Sequence, residues 1–127
     1  MFLDLSREEV GQYLEEVKQA VRNDRYRVSP RGKNEELYVT YIFSEAKCKE
    51  ILLELCVEDF SEAVHNEHPS HPEEALYIFG KNVQLLTRFG GEEETVALYI
   101  KFNKLANMYV IVISFHKQQY PLNYKFK

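Results

Sequence analysis

The amino-acid sequence predicts a single α+β domain, with N-terminal helices packed on a mainly antiparallel β-sheet. Three observations lead there. A strongly patterned helix opens the chain, β-rich runs fill its second half, and helices followed by strands favour helices gathered on one face of a sheet. The chain has 127 residues, close to the commonest domain size, and no repeat, linker or low-complexity tract divides residues 1–127. Hydrophobic residues make up 45% of it, enough for a core without disulfides or metal.

The first helix is announced by Ser6-Arg7-Glu8-Glu9. This is a capping box, in which the hydroxyl and the Glu carboxylate satisfy reciprocal backbone donors. Val10, Leu14, Val17 and Val21 follow on one helical face, with acids at the start and Lys18 and Arg22 near the end, so the pattern predicts a helix over 7–23. Arg25–Ser29 reads as extended, because Pro30 disfavours a helical residue before it. Arg31-Gly32-Lys33-Asn34 reads as a turn, and Glu35–Phe43 fits either a strand or a short helix. Ser44 caps a second helix over 45–55, with Ile51, Leu52 and Leu55 facing inward.

Phe60–Asn66 reads as a short strand, followed by the loop His68-Pro69-Ser70-His71-Pro72. Leu76–Phe79 and Val83–Phe89 read as strands separated by Gly80-Lys81-Asn82, and Gly90-Gly91 breaks the chain. The clearest β signal is the hairpin Val96–Phe102 and Tyr109–His116 around the loop Asn103–Met108. Symmetric closure pairs Phe102 with Tyr109 and Tyr99 with Val112. One face then carries Val96, Leu98, Ile100 and Phe102 with Tyr109, Ile111, Ile113 and Phe115, and must be core. The other carries Ala97, Tyr99 and Lys101 with Val110, Val112, Ser114 and His116. In that register Lys101 and His116 lie roughly 15–20 Å apart, at about 3.3 Å per residue, and line a groove rather than form a pair.

Charge is segregated. The net formal charge is -4, yet Arg22–Lys33 holds five basic residues against one acid. Glu50–Gly80 holds eight acids and no Lys or Arg, while Thr95–Lys127 holds five lysines and no acid. Such segregation creates local fields that the net value hides. No signal-peptide pattern and no apolar run long enough to span a bilayer is visible, and Cys48 and Cys56 lie in no ligand spacing. Both cysteines are expected reduced and buried, in a cytoplasmic protein without membrane attachment.

The hairpin's polar face carries the chemistry. Tyr99 and Lys101 suit phosphate contact, the ammonium as a point charge and the phenol as donor or stacking surface. His116 can act as general acid or base. Arg25 and Arg27, two residues apart, point the same way if extended and fit phosphate, or pair with the protein's own acids. His65, His68 and His71 lack the spacing of a metal site and are expected in a surface loop. No dinucleotide or phosphate-binding glycine loop and no nucleophile elbow is present, so no small-molecule cofactor is expected.

In Tyr99-Ile100-Lys101-Phe102 and Val112-Ile113-Ser114-Phe115-His116, the sequence resembles the motility quorum-sensing regulator (MqsR) toxin family of RelE-like messenger-RNA endonucleases. The order helix, Arg-rich extended segment, helix, then Glu58-Asp59-Phe60 is also similar, so the likeness covers roughly residues 10–117. It implies a RelE-like fold and a toxin of a type II toxin-antitoxin system. Such a toxin is neutralised by a cognate antitoxin and cuts messenger RNA without metal or cofactor. It further implies that Tyr99 is the active-site tyrosine, Lys101 a basic residue beside it, and His116 the counterpart of a Lys. The sequence departs from the family at Glu62, where a catalytic Lys stands, and near Glu74, where a Gln stands. On this reading Arg25, Arg27, His65, His68, Lys81, Arg88 and Lys117 would meet RNA. The alternative is a non-catalytic binding or inhibitor protein on the same fold.

Overall fold

Ser6 begins the first helix as its capping box requires. The Glu9 amide donates to Ser6 Oγ at 3.1 Å, and the Ser6 amide donates to Glu9 Oε1 at 3.0 Å. In the computed structural model, which describes residues 2–127, this helix (α1) spans Arg7–Arg22. A short strand, β1 (Phe2–Leu3), precedes it, and β2 (Tyr26–Val28) follows. Then come α2 (Gly32–Thr40), α3 (Glu45–Glu54), a 3₁₀ turn at Val57–Asp59 and β3 (Phe60–His65). The second half is β4 (Ala75–Leu86), β5 (Glu93–Lys104) and β6 (Val110–Lys117). The result is an α+β fold with three helices on a six-stranded sheet ordered β1-β3-β4-β5-β6-β2. All neighbours run antiparallel except β2, which lies parallel to β6 at one edge.

The core lies between the sheet and the helices. Val10, Leu14, Val17 and Val21 of α1 and Cys48, Ile51 and Leu52 of α3 join Tyr77, Phe79, Leu98, Ile100 and Phe102 from the sheet. Full burial of each large side chain contributes about 1.5–3 kcal/mol, so the apolar face of β5 anchors the fold. No helix of the described residues is long and apolar enough to cross a membrane. Cys48 is buried as expected, but Cys56 is exposed, because it stands at the mouth of the 3₁₀ turn rather than on a packed helix face.

Three further expectations are corrected. Arg31–Asn34 is the start of α2 rather than a free turn, with Arg31 as its N-cap residue. Asn34 fixes that first turn: its Nδ2 donates to Ser29 O (2.9 Å) and Ile113 O (3.0 Å), while its Oδ1 accepts from the Phe115 amide (2.8 Å). The ambiguous segment 35–43 is therefore helix as far as Thr40. It then turns extended, with the Ile42 amide bonded to Leu86 O at 2.8 Å.

Gly80-Lys81-Asn82 does not break the sheet. These residues pair with Tyr99, Leu98 and Ala97, so β4 runs straight through. Glycine serves there for close approach. A Cβ on Gly80 would sit 2.4 Å from Tyr124 Oη and 2.8 Å from Leu122 Cδ1, because residues 118–126 cross the open face of the sheet at that point.

The hairpin register is the third correction. Strand β5 continues through Asn103 and Lys104, and the turn is the tighter Leu105–Tyr109, closed by Leu105 N to Tyr109 O at 2.8 Å with Met108 at φ 67°. Phe102 thus pairs with Val112, and Tyr99 with His116. A bulge between these pairs leaves Ile113 unpaired, so Val110 and Val112 are buried instead of Tyr109, Ile111 and Ile113, while Phe115 is buried as expected.

Candidate functional site

The new register gathers the polar residues of the hairpin. Tyr99 and His116 face each other across β5 and β6, with ring centroids 5.3 Å apart and planes 11° from parallel. Lys101 pairs with Ser114 two residues further along β5, on the same face. The expected separation of Lys101 from His116 is overturned, because the tighter turn and the bulge slide His116 along β5. These four residues line one cleft of about 490 Å³, together with Arg31, Gly32, Lys33 and Asn34 at the start of α2 and Gln119 and Tyr120 beyond β6.

Local folding explains the assembly. Asn34 bonds both sides of the β6 bulge, and this brings the first turn of α2 against the strand that carries Ser114 and His116. The cleft therefore combines the cations Arg31, Lys33 and Lys101 with no lining acid, and its wall includes the opening turn of a helix. A cluster of cations beside helix amides attracts anions. Lys101 is half-buried and takes part in none of the ion pairs of the described residues. Burial, and then the nearby Arg31 charge, holds its ammonium pKa below the ordinary lysine range.

Burial likewise pushes the Tyr99 phenol up, helped by Tyr120 and Glu62, so it keeps its proton at neutral pH and acts as a donor. His116 Nδ1 lies 2.8 Å from the Lys117 carbonyl oxygen. A carbonyl only accepts, so Nδ1 carries the hydrogen, and in the neutral ring the lone pair is on Nε2. The site thus offers an imidazole acceptor, a phenolic donor and an unpaired ammonium.

The other residues singled out in the sequence lie elsewhere. Alternation places exposed Arg27 on the same open face, in register with Ile111, but nearer the hairpin turn. Arg25 Nη2 donates to Asn107 O at 3.0 Å, at that turn. His65 is exposed at the end of β3, and His68 Nδ1 accepts from the Ser70 amide at 3.1 Å. Lys81 projects from the core side of β4 and lies 3.8 Å from Asp59. Arg88 donates to Tyr38 O at 2.7 Å, and Lys117 to Tyr41 Oη at 3.2 Å. These last three cations serve internal contacts. Arg31 and Lys33 take the place expected of them. The signal for that was present in Glu35-Glu36, acids suited to the first turns of a helix that starts just before them.

Glu62 and Glu74 fall on the open face without joining the cleft. Glu62 pairs with Ile78, which pairs with Lys101, one rung along the same row. Glu74 Oε1 accepts from Asn103 Nδ2 (3.0 Å) and Asn66 Nδ2 (3.1 Å), and these donors lower its pKa. His71, Glu73 and Glu74 bring one potential metal-ligand atom each within 4.8 Å of one another, beside Asn103 near the hairpin turn rather than in the cleft. Glu74 Oε1 is held by two amides, while its Oε2 lies 4.0 Å from His71 Nδ1.

No protein-family model matches the chain, and a search of curated proteins returns no match either.

Proposed function

We propose that this chain is a RelE-like toxin of a type II toxin-antitoxin system, a metal-independent cytoplasmic endoribonuclease that binds single-stranded messenger RNA in the Tyr99–Lys101–His116 cleft and is inhibited by a cognate antitoxin. The observation that carries the reading is the convergence of Tyr99, Lys101 and His116 with Arg31 and Lys33 in one acid-free cleft. RNA supplies its own nucleophile, so such a site needs only a base, a leaving-group acid and donors for the phosphate.

In this scheme the ribose 2′-hydroxyl attacks the adjacent phosphorus while His116 Nε2 takes its proton. The P–O5′ bond breaks, and the departing oxygen receives a proton from Lys101, whose lowered pKa suits that transfer. Tyr99 and Arg31 donate to the phosphoryl oxygens as charge accumulates there. The products are a 2′,3′-cyclic phosphate and a 5′-hydroxyl end.

The test is incubation of purified protein with a fluorescent single-stranded RNA in EDTA. Cleavage to a cyclic phosphate is expected, slowed about 100- to 10,000-fold by His116→Ala. Intact RNA with the wild-type protein overturns the catalytic reading. The second reading, a non-catalytic binding protein on this fold, is favoured by Glu62 standing where the resemblance places a catalytic Lys. It expects the same RNA to bind and stay whole.

A further inference from the structure

We propose that Tyr120 is a base-stacking subsite for the nucleotide next to the bound phosphate. The inference rests on the RNA reading above and goes beyond it, because Tyr120 lies past the segment that resembles the toxin family. Tyr120 lines the cleft yet is 69% exposed, an unusual position for a ring of that size. Tyr99 and His116 already stack on each other, whereas Tyr120 joins none of the aromatic pairs of the described residues. It therefore offers an open aromatic face beside a cationic cleft, the combination that binds unpaired bases along a phosphate backbone.

The chain on either side of Tyr120 is anchored to the sheet. The Gln118 amide donates to Ala97 O at 2.8 Å, and its Nε2 donates to Leu98 O at 3.0 Å and to Tyr124 Oη at 3.2 Å. Further on, Asn123 O accepts from Ser61 Oγ at 2.7 Å, the Lys125 amide donates to Phe60 O at 3.2 Å, and Phe126 stacks on Phe60 at 5.8 Å. Tyr120 stands in the short span between these anchors, and Pro121 restricts its backbone. A backbone anchored on both sides loses little freedom when a base lands on the ring it carries, so less of the stacking is spent on ordering the chain.

The probe is a fluorescein-labelled hexauridylate with 2′-O-methyl riboses, which cannot be cleaved, alongside the same backbone without bases. Tyr120→Ala is expected to weaken hexauridylate binding roughly 5- to 150-fold and leave the abasic strand unchanged, while Tyr120→Phe binds as wild type. Equal weakening of both strands by Tyr120→Ala, or no weakening of either, overturns the stacking assignment alone. Failure of the wild-type protein to bind either strand overturns the RNA reading and this inference with it. Because Tyr120 is exposed, an unchanged melting temperature separates a lost contact from a lost fold.

Discussion

Asn34 is where a single side chain does most to shape the site. Its amide meets Ser29 O, Ile113 O and the Phe115 N–H, so it ties the start of α2 to both sides of the β6 bulge. Asn34→Ala leaves buried backbone groups unpaired, at about 1–3 kcal/mol each. The expected outcome is a loss of about 2–4 kcal/mol in urea unfolding, with weaker RNA binding even where the protein remains folded. A turn reading of Arg31–Asn34 cannot foresee this, because two of the three partners lie about 80 residues away in sequence. The cysteines make a second prediction. Burial pushes the Cys48 thiol up to about 12, whereas Cys56 is exposed. Ellman's reagent at pH 8 should label one thiol in the native protein and both in denaturant, with Cys56→Ser removing the native signal. Two fast-reacting native thiols contradict the burial of Cys48.

Among the elements, those set by local pattern were the legible ones. The capping box and the spacing of Val10, Leu14, Val17 and Val21 define α1, and Ser44 caps α3 as expected. The hairpin was legible as a hairpin but not in register. Alternation in Tyr109–Phe115 has two apolar phases, and the choice between them falls to a bulge that the sequence does not mark. Gly80-Lys81-Asn82 resembles a turn by composition, yet long-range packing of residues 118–126 makes the glycine a strand residue. Gly80→Ala forces a Cβ against Tyr124, Leu122 and Gln118. It should cost about 1–3 kcal/mol, and the loosened segment should be cut faster by trypsin after Lys117 and Lys125. An unchanged digestion pattern contradicts the strap.

At the scale of the whole molecule, many charges are already engaged by partners within the fold. Carboxylates pair with cations away from the cleft: Glu58 with Arg7, Glu16 with Lys104 and Asp4 with Lys125. Each of these acids has its pKa lowered, chiefly by a side-chain hydrogen bond from its partner, and Glu58 falls from 4.5 to about 2. A carboxylate lowered in the folded state adds stability above its unfolded pKa and loses it as pH falls through the folded value. Acidification from pH 4.5 towards 2 should therefore lower the urea midpoint, with a shallower decline in Glu58→Gln. Glu58–Arg7 and Asp4–Lys125 are exposed pairs and Glu16–Lys104 is only part-buried, so the effect is modest and shrinks in high salt. Lys81, Arg88 and Lys117, expected to meet RNA, are likewise engaged within the fold, by Asp59, the Tyr38 carbonyl and the Tyr41 hydroxyl. Sequence displays a cation but not whether another group of the protein already occupies it. The central claim is that RNA meets the protein at the face where Tyr99, Lys101 and His116 converge. The most direct measurement is amide chemical-shift mapping as the 2′-O-methyl hexauridylate is added. Shifts should concentrate in Arg31–Asn34, Tyr99–Lys101 and Ser114–Tyr120. Shifts confined to residues outside the cleft, such as the exposed Val39, Ile42 and Phe89, or no shifts at all, would contradict the account.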